Sequence, residues 1–227
     1  MIHRSRYGGH VTSKFFIFIL MTFLLVSCKA APVKQAPSLT VTQQEELAMK
    51  KFREILDSTK ELKRQDAVPL IMNGYDEVIE KYPDSYLAEE SYYRKMSIYL
   101  LENYPPMEKE AEDVYREYFS KYKKPRMGMA MNGDLARYYY NNQKWEKLAR
   151  FTTPFMREYV RTGKYGDTVF LFLYTEAKFY LKDYEEARKG YQIIKKNFAG
   201  KPDARNAEQR IEYINSILES KKGSSSH

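Results

Sequence analysis

Four stretches of this 227-residue chain repeat one arrangement of small and aromatic side chains: IMNGYDEVIEKYP from Ile71, AEDVYREYFSKYKKP from Ala111, LARFTTPFMREYV from Leu148 and ARKGYQIIKKNFAGKP from Ala187. They begin 40, 37 and 39 residues apart. In three of them an aromatic follows the first residue by four positions and another comes seven later: Tyr75 and Tyr82, Tyr115 and Tyr122, Tyr191 and Phe198. Steps of four and seven return a side chain to the same face of a helix. A second helical stretch precedes each copy, so the repeating unit is a helix pair. Such a pair leaves an apolar face that only its neighbour can cover, and a period of this size predicts stacked pairs.

The small residues fit that geometry. Ala111, Ala136 and Ala187 are placed where helices approach closely, with Tyr115, Tyr139 and Tyr191 filling the wedges between pairs. Helix punctuation agrees: Thr42-Gln-Gln-Glu45 reads as a capping box opening a first helix with Leu47, Phe52, Ile55 and Leu56 as its apolar face. Pro83-Asp84-Ser85 ends one helix and caps the next, and Pro202-Asp203 does the same before ARNAEQRIEYINSILESKK. That last segment sets Ile211, Ile214 and Ile217 or Leu218 on one side and charge on the other, as a terminal cap requires.

With the residues laid out this way, the chain resembles tetratricopeptide repeat proteins. Tyr180-Leu-Lys-Asp-Tyr184-Glu-Glu-Ala187 followed by Tyr191 matches best, and Asp134-Leu135-Ala136-Arg-Tyr-Tyr139 followed by Trp145 and Leu148 comes next. The resemblance implies an all-α fold, a right-handed α-solenoid of about four to five TPR-like helix pairs with a C-terminal capping helix. Three features depart from the family: a spacing above the usual ~34 residues, a turn lengthened by Tyr104-Pro105-Pro106, and Pro154, which is expected to break or kink the second helix of the third pair.

The expected domain order is a signal segment over 1–27, a lipidated cysteine and tether over 28–41, the repeat domain over 42–220 and a disordered tail over 221–227. Arg4, Arg6 and Lys14 precede an apolar run from Phe15 to Val26, interrupted only by Thr22. A basic start and a short apolar core have the layout of a secretory signal, and the run is too short for a helix that needs roughly 20 residues to span a bilayer. Leu25-Val26-Ser27-Cys28 resembles the lipobox of bacterial lipoproteins, which implies an acylated Cys28 as the only covalent group and no other cofactor. Two or three acyl chains, at about 0.8 kcal/mol per buried methylene, give firm anchoring. KAAPVKQAPSLTV then reads as an extended tether, and Lys29 after the cysteine implies the inner leaflet of an outer membrane, facing the periplasm.

Composition excludes most catalytic chemistry. The histidines are His3, His10 and His227, and Cys28 is the single cysteine. Zinc sites of Cys and His, Ser-His-Asp triads and Cys-His dyads therefore have no members in the repeat domain, and no metal or small-molecule substrate is expected. Acids such as Asp76, Glu77, Glu80, Glu185 and Glu186 sit at spacings that read as solvated helix faces. Once Arg4, Arg6 and Lys14 are removed from the 38 basic residues, 35 remain against 30 acids, about +5. With no arginine-rich tract, nucleic acid is not an expected partner.

A lipobox, a Pro/Ala tether, helical repeats and the junction KYPDSYLAEESYY together resemble the outer-membrane lipoproteins of the β-barrel assembly machinery. The resemblance implies a non-catalytic scaffold that docks other envelope proteins, among them β-barrel assembly subunits. Pilus or secretion assembly and the Tol-Pal division apparatus use scaffolds of the same kind, and the 21 tyrosines leave a cell-wall glycan reader as a third reading. In tetratricopeptide proteins the first helix of each pair lines the partner groove. That register carries over to Tyr93, Arg137, Tyr140, Asn141, Phe172 and Glu176, with Arg137 and Asn141 one turn apart and suited to a peptide carboxylate or backbone.

Overall fold

The computed structural model describes residues 39–163 and 168–224. The signal-like segment, Cys28 and nearly all of the tether lie outside the described residues. Those described form nine α-helices: α1 (Val41–Thr59), α2 (Arg64–Lys81), α3 (Tyr86–Ser97), α4 (Glu108–Lys121), α5 (Gly128–Asn141), α6 (Trp145–Thr162), α7 (Thr168–Tyr180), α8 (Tyr184–Asn197) and α9 (Pro202–Ser224). A π-helical segment, Ile98–Glu102, continues α3. No described helix is long and apolar enough to cross a membrane.

Helices pack mostly on their neighbours in sequence, in a manner consistent with a helical repeat array. α1 packs on α2, α3 on α4, α5 on α6 and α7 on α8, and the odd-numbered helices also meet one another from α1 to α3, α3 to α5 and α5 to α7. The alignment on small residues marks the closest approaches: Ala111, Ala136 and Ala187 are fully buried. Tyr82, Tyr122 and Phe198, the second aromatics of three repeats, all fall at C-caps of even-numbered helices. In the third repeat the position of Tyr75, Tyr115 and Tyr191 is taken by Thr152, fully buried, whose hydroxyl donates to the Leu148 carbonyl at 2.7 Å.

Three expectations need correction. The cap of the first helix is Thr40, two residues earlier than expected: Gln43 N–H donates to the Thr40 hydroxyl at 3.3 Å, and Thr40 N–H donates to the Gln43 side chain at 2.9 Å. The buried face of α1 is Gln44, Ala48, Ile55 and Thr59 with half-buried Phe52, whereas Leu47 and Leu56 are exposed. Ala48, fully buried, packs against Val78, Leu87 and Ala88 in the position expected of Leu47. Finally, α6 runs unbroken through Pro154. Proline removes one N–H and crowds the carbonyl four residues back; Thr152 and Thr153 hydroxyls bond the carbonyls of Leu148 and Ala149, each at 2.7 Å, and α6 packs closely along α7. The expected long turn at Tyr104-Pro105-Pro106 is present between the π-helical segment and α4. The last helix continues to Ser224, past the expected boundary at Ser220.

The tyrosines do more than pack. Tyr92 donates to Glu117 at 2.5 Å, Tyr118 to Glu89 at 2.6 Å, Tyr139 to Glu112 at 2.7 Å and Tyr191 to Glu176 at 2.5 Å, each bond joining two helices. A buried ring contributes apolar area, but its hydroxyl needs a partner; a glutamate on the neighbouring helix supplies one. This matters most between α4 and α5, whose backbones do not pack closely. There Tyr139 and Glu112 bridge the gap, Tyr115 donates to Asn132 at 2.7 Å, and the linker is held by Glu89 on α3. Glu89 is 3% exposed and accepts from the Arg126 backbone N–H at 2.7 Å and its Nε at 2.5 Å. Burial alone pushes its carboxyl upward, yet the donated bonds from Tyr118 and Arg126 outweigh this and hold it below the usual value of 4.5.

Candidate functional site

The succession of odd-helix contacts stops after α7. α9 rests along α8 in the most extensive helix contact of the fold, but it stands off from α7. Between them opens a cavity of about 820 Å³, with Tyr140 from α5 at one side, Phe172, Leu173, Glu176 and Phe179 from α7, Tyr191 and Ile194 from α8, and Asp203, Asn206, Ala207, Gln209, Arg210 and Tyr213 from α9.

Local sequence explains this wall. On α9 the buried residues are Ala204, Ala207 and Ile214, with Ile211 and Leu218 half-buried, so the expected apolar stripe faces α8. The polar residues Asn206, Gln209, Arg210 and Tyr213 recur at three and four residues beside that stripe, and so form a second face that looks into the cavity. Phe198, at the C-cap of α8, packs on Phe172 with ring centroids 5.5 Å apart. Phe179 receives the Arg210 guanidinium on its face, 4.3 Å from the ring centroid.

Charge in the cavity centres on Glu176. Its carboxylate accepts the Tyr191 hydroxyl at 2.5 Å and Arg210 Nη2 at 3.4 Å, and its side chain remains 18% exposed. Burial first, and then the bond to Glu176, push the Tyr191 hydroxyl well above its ordinary value of 10.0. Burial works against the Arg210 charge, but Glu176 and Tyr191 more than compensate and raise its pKa. Tyr140 is likewise raised by burial and by the Glu176 charge. The lining thus combines aromatic walls, the two exposed amides of Asn206 and Gln209, and the Arg210–Glu176 pair. Among the described residues no group of three or more His, Cys, Asp or Glu is placed to hold a metal ion.

Of the six groove candidates read from the sequence, the fold brings together Tyr140, Phe172 and Glu176. Tyr93 lines a separate cavity of about 460 Å³ between α1, α2, α3 and α5, in company with Asp134, Arg94 and Leu101. Arg137 is exposed and pairs with Asp134 on its own helix rather than lining either cavity. Asn141 is exposed at the end of α5. The α9 wall was missed because its segment reads as a cap with a polar outer face. The signal was there in Asn206, Arg210 and Tyr213, polar and aromatic residues one turn apart on a face adjoining the isoleucines.

Comparison of the chain with protein-family models, with curated proteins and with solved structures gave no match.

Proposed function

We propose that this protein is a non-catalytic docking scaffold, tethered through acylated Cys28 to the periplasmic face of an outer membrane and working in the assembly of outer-membrane β-barrel proteins. In this reading the helix pairs wind as a right-handed solenoid of tetratricopeptide type with α9 as cap, and the layout is similar to that of the lipoprotein BamD. One observation carries the docking role: an aromatic-walled cavity of about 820 Å³ that contains the Glu176–Arg210 pair and exposed amides, formed where α9 stands off from α7. A surface of that kind recognises a segment of another protein, and a lipid tether raises its effective concentration at the membrane.

The test is affinity capture from detergent-solubilised envelopes with wild type and an Arg210→Ala variant. A large β-barrel assembly protein should be recovered with wild type and lost with the variant. Recovery of pilus, secretion or Tol-Pal components would assign the scaffold to a different machine and overturn this reading. Cys28→Ser should shift the protein from the membrane to the soluble fraction; an unchanged distribution would refute lipidation.

A further inference from the structure

On another side of the C-terminal half lies a groove of about 680 Å³ between α6 and α8, floored by α7. Its floor and walls are apolar: Met156 is 9% exposed, while Tyr174 and Ile193 are half-buried. Val160 on its rim is 74% exposed and continues this apolar lining to the surface. The polar lining is almost all of one sign, with Arg157, Arg161, Lys178 and Lys189 against Glu186.

Arg161 and Lys189 are paired only within their own helices, whereas Lys178 ties α7 to Asp183 at the start of α8. Arg161 pairs with Glu158 and Lys189 with Glu186, both three residues apart on one exposed helix surface at 2.6 Å, and Lys178 pairs with Asp183 at 2.8 Å. The two exposed intrahelical pairs, Arg161–Glu158 and Lys189–Glu186, add little to stability. Arg157 has no ion pair with a described residue and is exposed. Helix packing itself sets the groove's depth: a Cβ on Gly190 would lie 2.2 Å from the Thr175 hydroxyl, so α8 presses onto α7 at that point and its outer surface stays shallow between the two rims.

We propose that this groove is a second docking site, separate from the α7–α9 cavity, and that its occupant is an acidic amphipathic segment of a partner protein. Charge complementarity selects the partner. Groove positions on α6 run from Thr153 to Arg161, about 12 Å at ~1.5 Å per residue, which is the length of roughly two helical turns. A helix of that length can direct apolar side chains at Met156, Val160 and Ile193 and offer carboxylates to Arg157 and Arg161 on one rim and Lys189 on the other. A concave, two-walled shape suits such a segment better than the flat array of headgroups on a membrane.

The experiment uses the full chain in mild detergent and fluorescence anisotropy of a labelled synthetic 14-residue peptide with leucines and glutamates at helical spacing. A peptide with lysine in place of glutamate, and phosphatidylglycerol vesicles, serve as the competing probes. The acidic peptide should bind, and Arg157→Glu or Val160→Asp should weaken it at least tenfold, while Arg205→Glu on exposed α9 and Arg210→Ala in the other cavity leave it unchanged. The proposal is overturned if the lysine peptide binds as well as the acidic one, if neither groove variant alters binding, or if the acidic peptide fails to bind and the same variants abolish vesicle binding. Because Arg210→Ala is a control here, failure of this site and failure of the α7–α9 reading remain distinguishable.

Discussion

Two glutamates in this protein, Glu89 and Glu176, receive the same pair of donors, a tyrosine hydroxyl from the following helix and an arginine from farther along the chain, and they reach opposite states. Around Glu89 the shell is closed: the Tyr118 hydroxyl, the Arg126 backbone and the Arg126 guanidinium all lie within 2.7 Å, and the residue is 3% exposed. Around Glu176 one short bond from Tyr191 is joined by a long one of 3.4 Å from Arg210, and the group opens on a cavity. A carboxylate has room for about four donors. When the fold supplies three at close range, the group becomes a lock; when it supplies one short bond and one long one, the carboxylate keeps capacity for a further donor.

The largest expected effect breaks the lock. Glu89→Ala leaves the Tyr118 hydroxyl and the Arg126 backbone N–H without their acceptor in a buried site and removes the partner of the half-exposed Arg126 guanidinium, and should cost about 3 kcal/mol in urea denaturation. A loss below about 1 kcal/mol, the net worth of an ordinary hydrogen bond, would erase the contrast with Glu176. The pH dependence has a definite sign. The folded-state carboxyl of Glu89 is depressed below 4.5, so its contribution is fully present above that value and is lost as the pH falls through the folded pKa. Wild type should therefore shed stability in that acid range, and Glu89→Gln, which cannot ionise, should shed less of it.

Next in size is a steric test of how tightly the C-terminal pairs are packed. Gly190→Ala sets a methyl group 2.2 Å from Thr175 Oγ1, and Thr175 is fully buried with its hydroxyl already donated to the Leu171 carbonyl at 2.7 Å. A β-branched side chain fixed in this way has no easy escape, and overpacking should cost about 2 kcal/mol. Gly74→Ala provides the comparison in the N-terminal half, where the added carbon meets the Cδ1 and Cγ1 of Ile55 at 2.5 Å. Ile55 is buried and β-branched, and its Cγ1 is met as well as its Cδ1, so χ1 must turn and thermal melting should show a loss of similar size; a much smaller loss at Gly74 would mean that the isoleucine repacks where the hydrogen-bonded threonine does not.

Glu176→Gln should cost only about 1 kcal/mol, since the amide oxygen still accepts from Tyr191 and the site is partly open to water. Its main effect falls on the cavity, where Arg210 loses its counter-charge. Capture of the partner protein should change by far more than the melting temperature does, the reverse of the pattern for Glu89→Ala.

Much of the array is legible in the sequence because it depends on local spacing. A small or aliphatic residue followed by aromatics four and eleven positions on marks the even-numbered helices, and Ala111 and Ala187 lie buried where that pattern puts them. The two carboxylate sites are not legible in this way. Glu89 and Arg126 are 37 residues apart and Glu176 and Arg210 are 34 apart, so no helical period connects them. The tetratricopeptide register reaches Glu176 as a groove residue but not its bonds to Tyr191 and Arg210, and nothing in local spacing marks Glu89. Pro154 does not break α6 for a related reason: propensity speaks for an isolated helix, while α6 is held along α7.

The smallest expected effect concerns Arg137, which the sequence places in a partner groove and the fold places elsewhere. Its side chain is 60% exposed and pairs with Asp134, three residues away on α5. Asp134 also receives the Tyr93 hydroxyl, whose pKa is raised by burial and then by that bond, so the aspartate has a second partner if Arg137 is removed. Arg137→Glu should then change stability by no more than about 0.5 kcal/mol. It should also leave capture by the α7–α9 cavity intact, since Arg137 lies outside its lining. A variant that folds normally yet loses its partner would move the docking surface back along the odd-numbered helices toward Tyr93 and Asp134, and would make the α9 wall an end cap rather than part of the site.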